Sequence, residues 1–448
     1  MPAAAGEAPQ TVSATAYWAG FHDATLIRLL KKGDDQSPNL LSSVELITQA
    51  RQQVRIDVGN LLPAVQVSAG SNYAAPTIAS ELQGKNLGAT TDQLLGQLNW
   101  EIDFWGRVRR ALESDRASLQ SAQAGLAAAR VSLEASVASA YVNVRMTERR
   151  IEVAEANLMQ QAEDKRIAAA KYRLGATSEL DFRQAEAQYE QTNSQLPALR
   201  QTLAQFQHSL SVLVGETPDY FARHEPADTG LPTVPAELPI GAPRDLLRRR
   251  PDVLQAEFNA AAQSARIGVA KAALYPTFSL TGQFGYATTG NLGTLFRWNN
   301  RAVQYGGGFT IPIFDRGQLV AQVRIQDSLF RQAVLAYQNQ VLTAQQDVED
   351  GLASVTGQTA QAKELALADS AAARAAALAL LQYRAGQVDY TTVSTAEQTH
   401  AQTSDALVQA QAGVLQAHIT VFRAIGGGWE SGHSADLQRG SRMMSAEQ

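Results

Sequence analysis

The chain has no cysteine among its 448 residues. Disulfides and thiolate metal sites are therefore excluded, while the redox compartment stays open. Six histidines, His22, His208, His224, His400, His418 and His433, are scattered, and none stands at metal-ligand spacing to another. No metal and no other cofactor is expected. An excess of positive charge is also lacking, with a formal net charge of −5 and a pI of about 5.8. Nucleic-acid binders show a basic face, so no nucleic acid is expected as a partner. No apolar run approaches the ~18 residues that a membrane helix needs. The nearest, AAARAAALALL at 371–381, is short and contains Arg374. The opening MPAAAGEAPQ has neither a basic n-region nor an apolar h-region, so no signal peptide is visible. A Gly-rich phosphate loop and a Ser/His/Asp set at supporting spacing are missing as well. Glu101 and Asp103 sit two apart on one strand face, which suits a polar lumen as well as paired acid–base work. An enzyme is not expected.

What the chain does contain is a turn written twice. KYRLGATSELDFRQAEAQ (171–188) and QYRAGQVDYTTVSTAEQT (382–399) share Tyr172/Tyr383, Arg173/Arg384, Gly175/Gly386, Ala185/Ala396 and Glu186/Glu397, at an offset of 211 residues. Two more pairs align at nearly the same offset. Residues 54–73 match 267–286, with Pro63 opposite Pro276 and Tyr73 opposite Tyr286. NWEIDFWGR (99–107) sits opposite GFTIPIFDR (308–316). Each half reads in one order: short helix, proline, strand, loop, strand, long helix, Arg-x-Gly turn, returning helix. This is one supersecondary unit duplicated.

Proline is absent from Arg107 to Tyr172, where Leu112, Leu119, Leu126 and Leu133 recur every seven residues. A four-residue step leads to Val137, Val144, Ile151 and Leu158. Heptads with such a stutter predict supercoiled packing with local unwinding. From Gly317 to Tyr383 the pattern returns through Phe330, Val334, Tyr337, Val341, Ala344, Val348, Gly351 and Val355. At ~1.5 Å per residue each arm is on the order of 100 Å long. The returning arms, 177–214 and 388–425, are shorter, and segments 39–60 and 251–274 supply the missing length. Pro251-Asp252 opens the latter with a residue suited to the first turn and an acid at its positive end. Gly175 and Gly386 are expected as left-handed caps of two hairpins whose turns share one end of the molecule.

Strands show as period two. Phe278, Leu280, Gly282, Phe284 and Tyr286 alternate with Thr277, Ser279, Thr281, Gln283 and Gly285. Leu98, Trp100, Ile102 and Phe104 alternate with Gln97, Asn99, Glu101 and Asp103. YGGGFTIPIF (305–314) and PAVQVSAGSNY (63–73) fit less cleanly. Roughly ten residues per strand match a tilted bilayer crossing. Taken alone, the strands equally fit a soluble four-stranded sheet packed on helices. In lipid, four strands cannot close on themselves, and an open edge costs several kcal/mol per unsatisfied group. A barrel needs about eight strands or more, so spanning strands require oligomers. Three copies in a ring give a 12-stranded barrel continued by 12 helical columns.

Several ordered stretches resemble one family. They are YWAGFHDATLIRLL (17–30), LNWEIDFWGRVRR (98–110), LLRRRPDVLQAEFNAAAQSARIGVAKAALYPTFSLTG (246–282), IPIFDRG (311–317), the two Tyr-Arg-x-Gly turns, and AIGGGW (424–429). Over about 17–429 the chain resembles the outer-membrane efflux factors, TolC/OprM-like and in particular the lipoprotein branch called NodT-like. The resemblance implies a mainly α, internally duplicated fold. It implies a homotrimer with a 12-stranded outer-membrane β-barrel, a 12-helix periplasmic α-barrel and a mixed equatorial belt. On that plan 1–38 is an N-terminal equatorial segment and 39–215 the first repeat, with strands about 62–73 and 94–105 and hairpin 107–214. An equatorial linker (216–250) precedes the second repeat (251–426), with strands about 276–286 and 305–314 and hairpin 317–425. Residues 427–448 form a C-terminal equatorial tail. The implied partners are outer-membrane lipid, a periplasmic membrane-fusion adaptor and an inner-membrane efflux transporter of RND type. The implied activity is passive export of drugs or other small amphiphiles. Lipoprotein relatives begin with a signal peptide and a lipidated Cys; here the expectation is a start beyond them or a member without acylation.

The tips carry the candidate sites. Arg173, Gly175, Ser178, Arg384, Gly386 and Asp389 are candidates for adaptor docking, against ordinary hairpin punctuation. Asp389, repeated around an axis, would form an acidic ring that favours cations; it equally suits a helix N-cap. Several relatives close the periplasmic end with a Tyr, an Asp and an Arg on the second hairpin. Tyr383 matches, but the other two positions hold Thr395 and Gln398, implying a differently built gate. Trp100, Trp105 and Trp298 flank strands, where aromatic belts form at membrane interfaces, although a soluble core also uses such residues. Arg248-Arg249-Arg250 reads as a structural cluster rather than a partner site. A periplasmic coiled-coil scaffold or adaptor is the alternative function; it shares the hairpins but has no bilayer-length strands.

Overall fold

A computed structural model of the chain describes residues 14–75, 88–225, 230–234 and 250–427. Arg248, Arg249, Trp429, most of the linker and nearly all of the C-terminal tail lie outside the described residues. The chain resolves into two compact units, and each draws on both repeats. One lies within Met1–Val44, Ala124–Leu254 and Asn339–Gln448; the other within Glu45–Gln123 and Gln255–Gln338.

Helices α1 (Ala14–Ala19), α2 (Ala24–Gln36) and α3 (Pro38–Gly59) lead to strands β1 (Ala64–Ala74) and β2 (Ala89–Ile102). The first hairpin is α4 (Arg107–Arg173) and α5 (Glu179–Leu213), followed by short α6 (Tyr220–His224). The second half repeats this as α7 (Pro251–Ala272), β3 (Thr277–Thr289), β4 (Arg301–Thr310), α8 (Gln318–Arg384) and α9 (Tyr390–Ala424). Both long arms have 67 residues and both returning arms 35. Among the described residues no helix is long and apolar enough to cross a membrane.

The four strands form one antiparallel sheet in the order β1-β2-β3-β4. Register gathers the apolar residues on one face in rows: Val65–Leu98–Gly282–Tyr305, Val67–Gly96–Phe284–Val303, and Ile102–Phe278–Phe309. The opposite face carries the row Gln66–Gln97–Gln283–Gln304 and neighbours such as Asn99 and Thr281. A one-residue slip would exchange the two faces, so this register is set by the pattern. The apolar face is bare: Val67 is 73% exposed, Phe284 65% and Tyr305 87%. Among the described residues β1 and β4 each pair along one edge only.

Two strand bounds differ from the expected ones. β4 spans Arg301–Thr310 rather than 305–314. Pro312 has no N–H for a ladder, and Asp315 turns its carboxylate to the N–H groups of Gly317 (2.9 Å) and Leu319 (2.6 Å), ending the extended chain. β2 begins at Ala89 and stops at Ile102 rather than running 94–105. There Asp103 accepts from the N–H groups of Val108 and Arg109, both at 3.0 Å, and starts α4 instead.

In the first unit the N-terminal segment is core. Tyr17, Trp18 and Phe21 pack on Phe422 of α9, with ring centroids 4.7 Å from Tyr17 and 4.4 Å from Trp18. Tyr17 donates its hydroxyl to the carbonyl of His418 at 2.7 Å. Trp18 donates its indole N–H to Glu134 at 2.8 Å. Burial pushes the Glu134 carboxyl up to about 7.

Candidate functional site

The hairpin turns are built alike. Gly175 has φ +68° and Gly386 φ +74°, the left-handed region that a glycine enters without cost. In the first turn Ala176 N–H donates to Lys171 O at 2.9 Å and Gly175 N–H to Tyr172 O at 3.0 Å. In the second, Gln387 N–H donates to Gln382 O at 2.9 Å and Gly386 N–H to Tyr383 O at 3.0 Å. This pairing closes the carbonyls a helix leaves open at its end. The next helix is capped at the same repeat position: Ser178 Oγ accepts from Asp181 N–H at 3.3 Å, and Asp389 Oδ1 from Thr392 N–H at 3.2 Å. Ser178 and Asp389 are thus helix caps by geometry, and both remain exposed. Arg173 and Arg384 are exposed beside them; Arg173 Nε donates to Ala169 O at 3.3 Å.

The side chains between the turns are not alike. Tyr172 is 41% exposed and stacks on Phe182 with centroids 6.1 Å apart. Its counterpart Tyr383 is 2% exposed, edge-on to Tyr390 at 5.5 Å. The Lys171 ammonium sits 4.2 Å from the Tyr383 ring centroid and donates to the Tyr383 carbonyl. Burial raises the Tyr383 phenol above its ordinary range. Tyr383 is therefore held inside one protomer, in a cluster with Ala168, Ala185, Ala379, Tyr390 and Val393.

Of the other expected gate residues, Gln398 donates its amide to Gln188 of α5 at 2.6 Å, joining the two hairpins. Thr395 is exposed and donates to Thr391 O at 2.9 Å. With Asp389, Thr391, Thr392 and Thr399 it lines an open groove of about 530 Å³.

The three tryptophans occupy both ends of the sheet. Trp100 donates its indole N–H to Leu61 O at 3.0 Å, and Trp105 donates to Pro276 O at 2.8 Å. Both mark the end where helix passes into strand. Trp298 is 68% exposed in a 3-10 turn between β3 and β4, at the other end, with the Arg301 guanidinium 4.6 Å from its ring.

Sequence reasoning missed the surroundings of two groups. Arg250 is buried and bound to two carboxylates and two carbonyls. Asp164 and Glu397 are both buried, and Glu397 Oε2 has no hydrogen-bond partner among the described residues. Glu397 stood in the repeat identity with Glu186, but Glu186 is half-exposed and paired with Lys165 (3.4 Å) and Arg183 (2.9 Å). Identity across the repeat carried no sign of that difference.

Two long helical hairpins and a four-stranded amphipathic sheet, built by a duplication within one chain, define the subunit class of outer-membrane export ducts. The chain belongs to the outer membrane efflux protein family, whose profile matches residues 29–216 and 242–427. It is 28% identical to outer membrane protein OprJ of Pseudomonas aeruginosa over 429 residues, covering 95% of this chain and 89% of that one. It is 29% identical over 421 residues to the probable efflux pump outer membrane protein TtgC of Pseudomonas putida, covering 91% and 84%. The fold superimposes on the outer-membrane channel OprN with a TM-score of 0.86 at 27% identity, covering 96% and 98%. The protein is an efflux channel of the outer membrane that extends into the periplasm.

Proposed function

We propose that three copies assemble into one duct that serves as the exit of a tripartite pump. The observation that carries this is the sheet: one face apolar along its middle rows, one face carrying a glutamine row, and, among the described residues, two unpaired edges. In lipid those edges must be paired, and cyclic closure by sister copies is the economical solution. The apolar rows then face lipid, and the glutamine row repeats around a polar lumen. Trp100, Trp105 and Trp298 mark the two membrane interfaces.

The hairpin tips are the docking end for a periplasmic adaptor, which joins the duct to an inner-membrane transporter, with an RND-type pump fitting best. Arg173, Ser178, Arg384 and Asp389 are exposed there on rigid, capped turns, with Gly175 and Gly386 setting the turns' shape. Tyr383, Thr395 and Gln398 make up the gate, with Gln398 tying the hairpins and Tyr383 anchoring the seam behind them. The polar lumen suits small amphiphiles without selecting among them, which leaves selection to the pump.

The test is a planar-bilayer recording of the detergent-purified particle together with its mass. A trimer that conducts is expected; a monodisperse monomer without conductance overturns the duct. Asp389→Asn keeps the helix cap and removes the charge. It is expected to lower the cation-to-anion permeability ratio by roughly twofold or more, as loss of an acidic ring does. An unchanged ratio removes Asp389 from the pore.

A further inference from the structure

We propose that Asp164 of α4 and Glu397 of α9 form a buried proton-binding site that latches the first hairpin to the second. Asp164 is fully buried and Glu397 is 8% exposed. The Glu397 Oε2 atom is buried and has no hydrogen-bond donor among the described residues, and the Asp164 carboxyl is the acidic group that bears on it. Neither forms an ion pair among the described residues, and the Gln160 amide approaches Asp164 only at 3.4 Å. Two carboxyl groups that bear on each other, out of water and without a cation, cannot both be charged. One proton must stay with the pair, on Glu397.

The other groups around the pair do not supply the missing positive charge. On α9 there is Tyr390, fully buried; on α8 Tyr383; on α5 Asp181, which accepts from Thr177. On α4, Lys171 is committed to Tyr383, and Lys165 to Glu186 and Glu190. Burial first, and then Asp164, push the Glu397 carboxyl up to about 9. The site is thus occupied by its proton at neutral pH.

The consequence is mechanical. When the Glu397 O–H bond breaks and the proton passes to water, two anions remain in a dry seam. They repel each other, and the relief is separation of α4 from α9. The seam adjoins the Tyr383–Tyr390 packing, so its parting frees the ring that the duct reading assigns to the gate. Where the seam is open and wet, Glu397 regains ordinary carboxyl affinity. Linkage then makes opening rise by up to about tenfold per pH unit between about pH 5 and pH 9, and level off above.

The proton site needs only one chain's fold, whereas its effect on conduction rests on the duct reading, so two readouts are taken. Thermal unfolding of the purified protein is followed from about pH 5 to pH 10 in wild type, Glu397→Gln and Asp164→Asn. The folded carboxyl binds its proton more tightly than the unfolded one. Wild-type stability therefore falls as pH rises through this window, while Glu397→Gln, which mimics the protonated acid, does not share the fall. In bilayers, wild-type opening climbs with pH, Glu397→Gln stays closed and flat, and Asp164→Asn shows a weaker slope. Parallel pH profiles for wild type and Glu397→Gln in unfolding overturn the proton site. Divergent unfolding with identical gating keeps the site and overturns the latch. Absence of conductance in all three proteins counts against the duct, and the unfolding series still decides the proton site.

Discussion

Arg250→Ala is expected to destabilise the fold by about 3–5 kcal/mol, the cost of breaking a buried charge network from one side. Arg250 is 5% exposed. Its guanidinium reaches Asp252 at 3.0 and 2.6 Å, Asp347 of α8 at 2.9 Å, Ala424 O at the end of α9 at 2.9 Å and Ala344 O at 3.4 Å. One side chain therefore ties the start of α7 to both arms of the second hairpin. Alanine removes the guanidinium from two carboxylates and two carbonyls, and Asp252 keeps only the Gln340 amide at 2.8 Å and the Val253 N–H at 3.0 Å. Burial opposes ionisation of Asp252, but the guanidinium outweighs it and holds the carboxyl below the usual range. That contribution is present above the unfolded carboxyl's titration and is lost as pH falls through the depressed folded one. Wild type should thus lose more stability on acidification than Arg250→Ala. Arg250→Lys should recover less than half of the loss, because a point charge cannot serve four acceptors in a fork. Denaturant unfolding across pH 3 to 7 checks all three statements, and a full rescue by lysine would show that charge alone matters.

The same residue shows where sequence reading stops. The run of three arginines reads as a structural cluster, but only Arg250 falls among the described residues; Pro251-Asp252 does open α7. The acceptors, however, lie on Asp347 and Ala424, far along the chain, and no local spacing announces them. The hairpins were legible because their signals are local: heptads within one helix, a left-handed glycine, a capping Ser178 or Asp389 at the next start. Strand ends were less so. Ile311, Ile313 and Phe314 read as strand, but they are exposed residues of a proline-broken connection, with Ile313 92% and Phe314 85% exposed. Hardest were paired positions with divergent surroundings. Tyr172 and Tyr383, or Glu186 and Glu397, are equal in the duplicated text, and only packing between the hairpins makes one exposed and the other buried.

The sharpest test of the sheet's placement uses two neighbours on β3. Phe284→Arg is expected to cost about 2–4 kcal/mol in every subunit of an assembled barrel, because it puts a charge in lipid near mid-strand. Phe284 stands in the row Val67–Gly96–Phe284–Val303, with apolar residues of the adjacent rows above and below. Gln283→Arg moves the same charge by one residue and, because side chains alternate, to the opposite face. There it joins Gln66, Gln97 and Gln304, a row that water can reach. Gln283→Arg should therefore insert normally and reach the outer membrane in wild-type amounts. Its conductance should turn toward anions, since each copy adds a positive charge to the lumen. Phe284→Arg should leave little assembled protein in the outer-membrane fraction. Heat-resistant oligomers on gels of that fraction, quantified for both variants, separate the outcomes. Equal tolerance of the two would mean that neither face meets lipid, and the sheet would then have to be covered by protein instead.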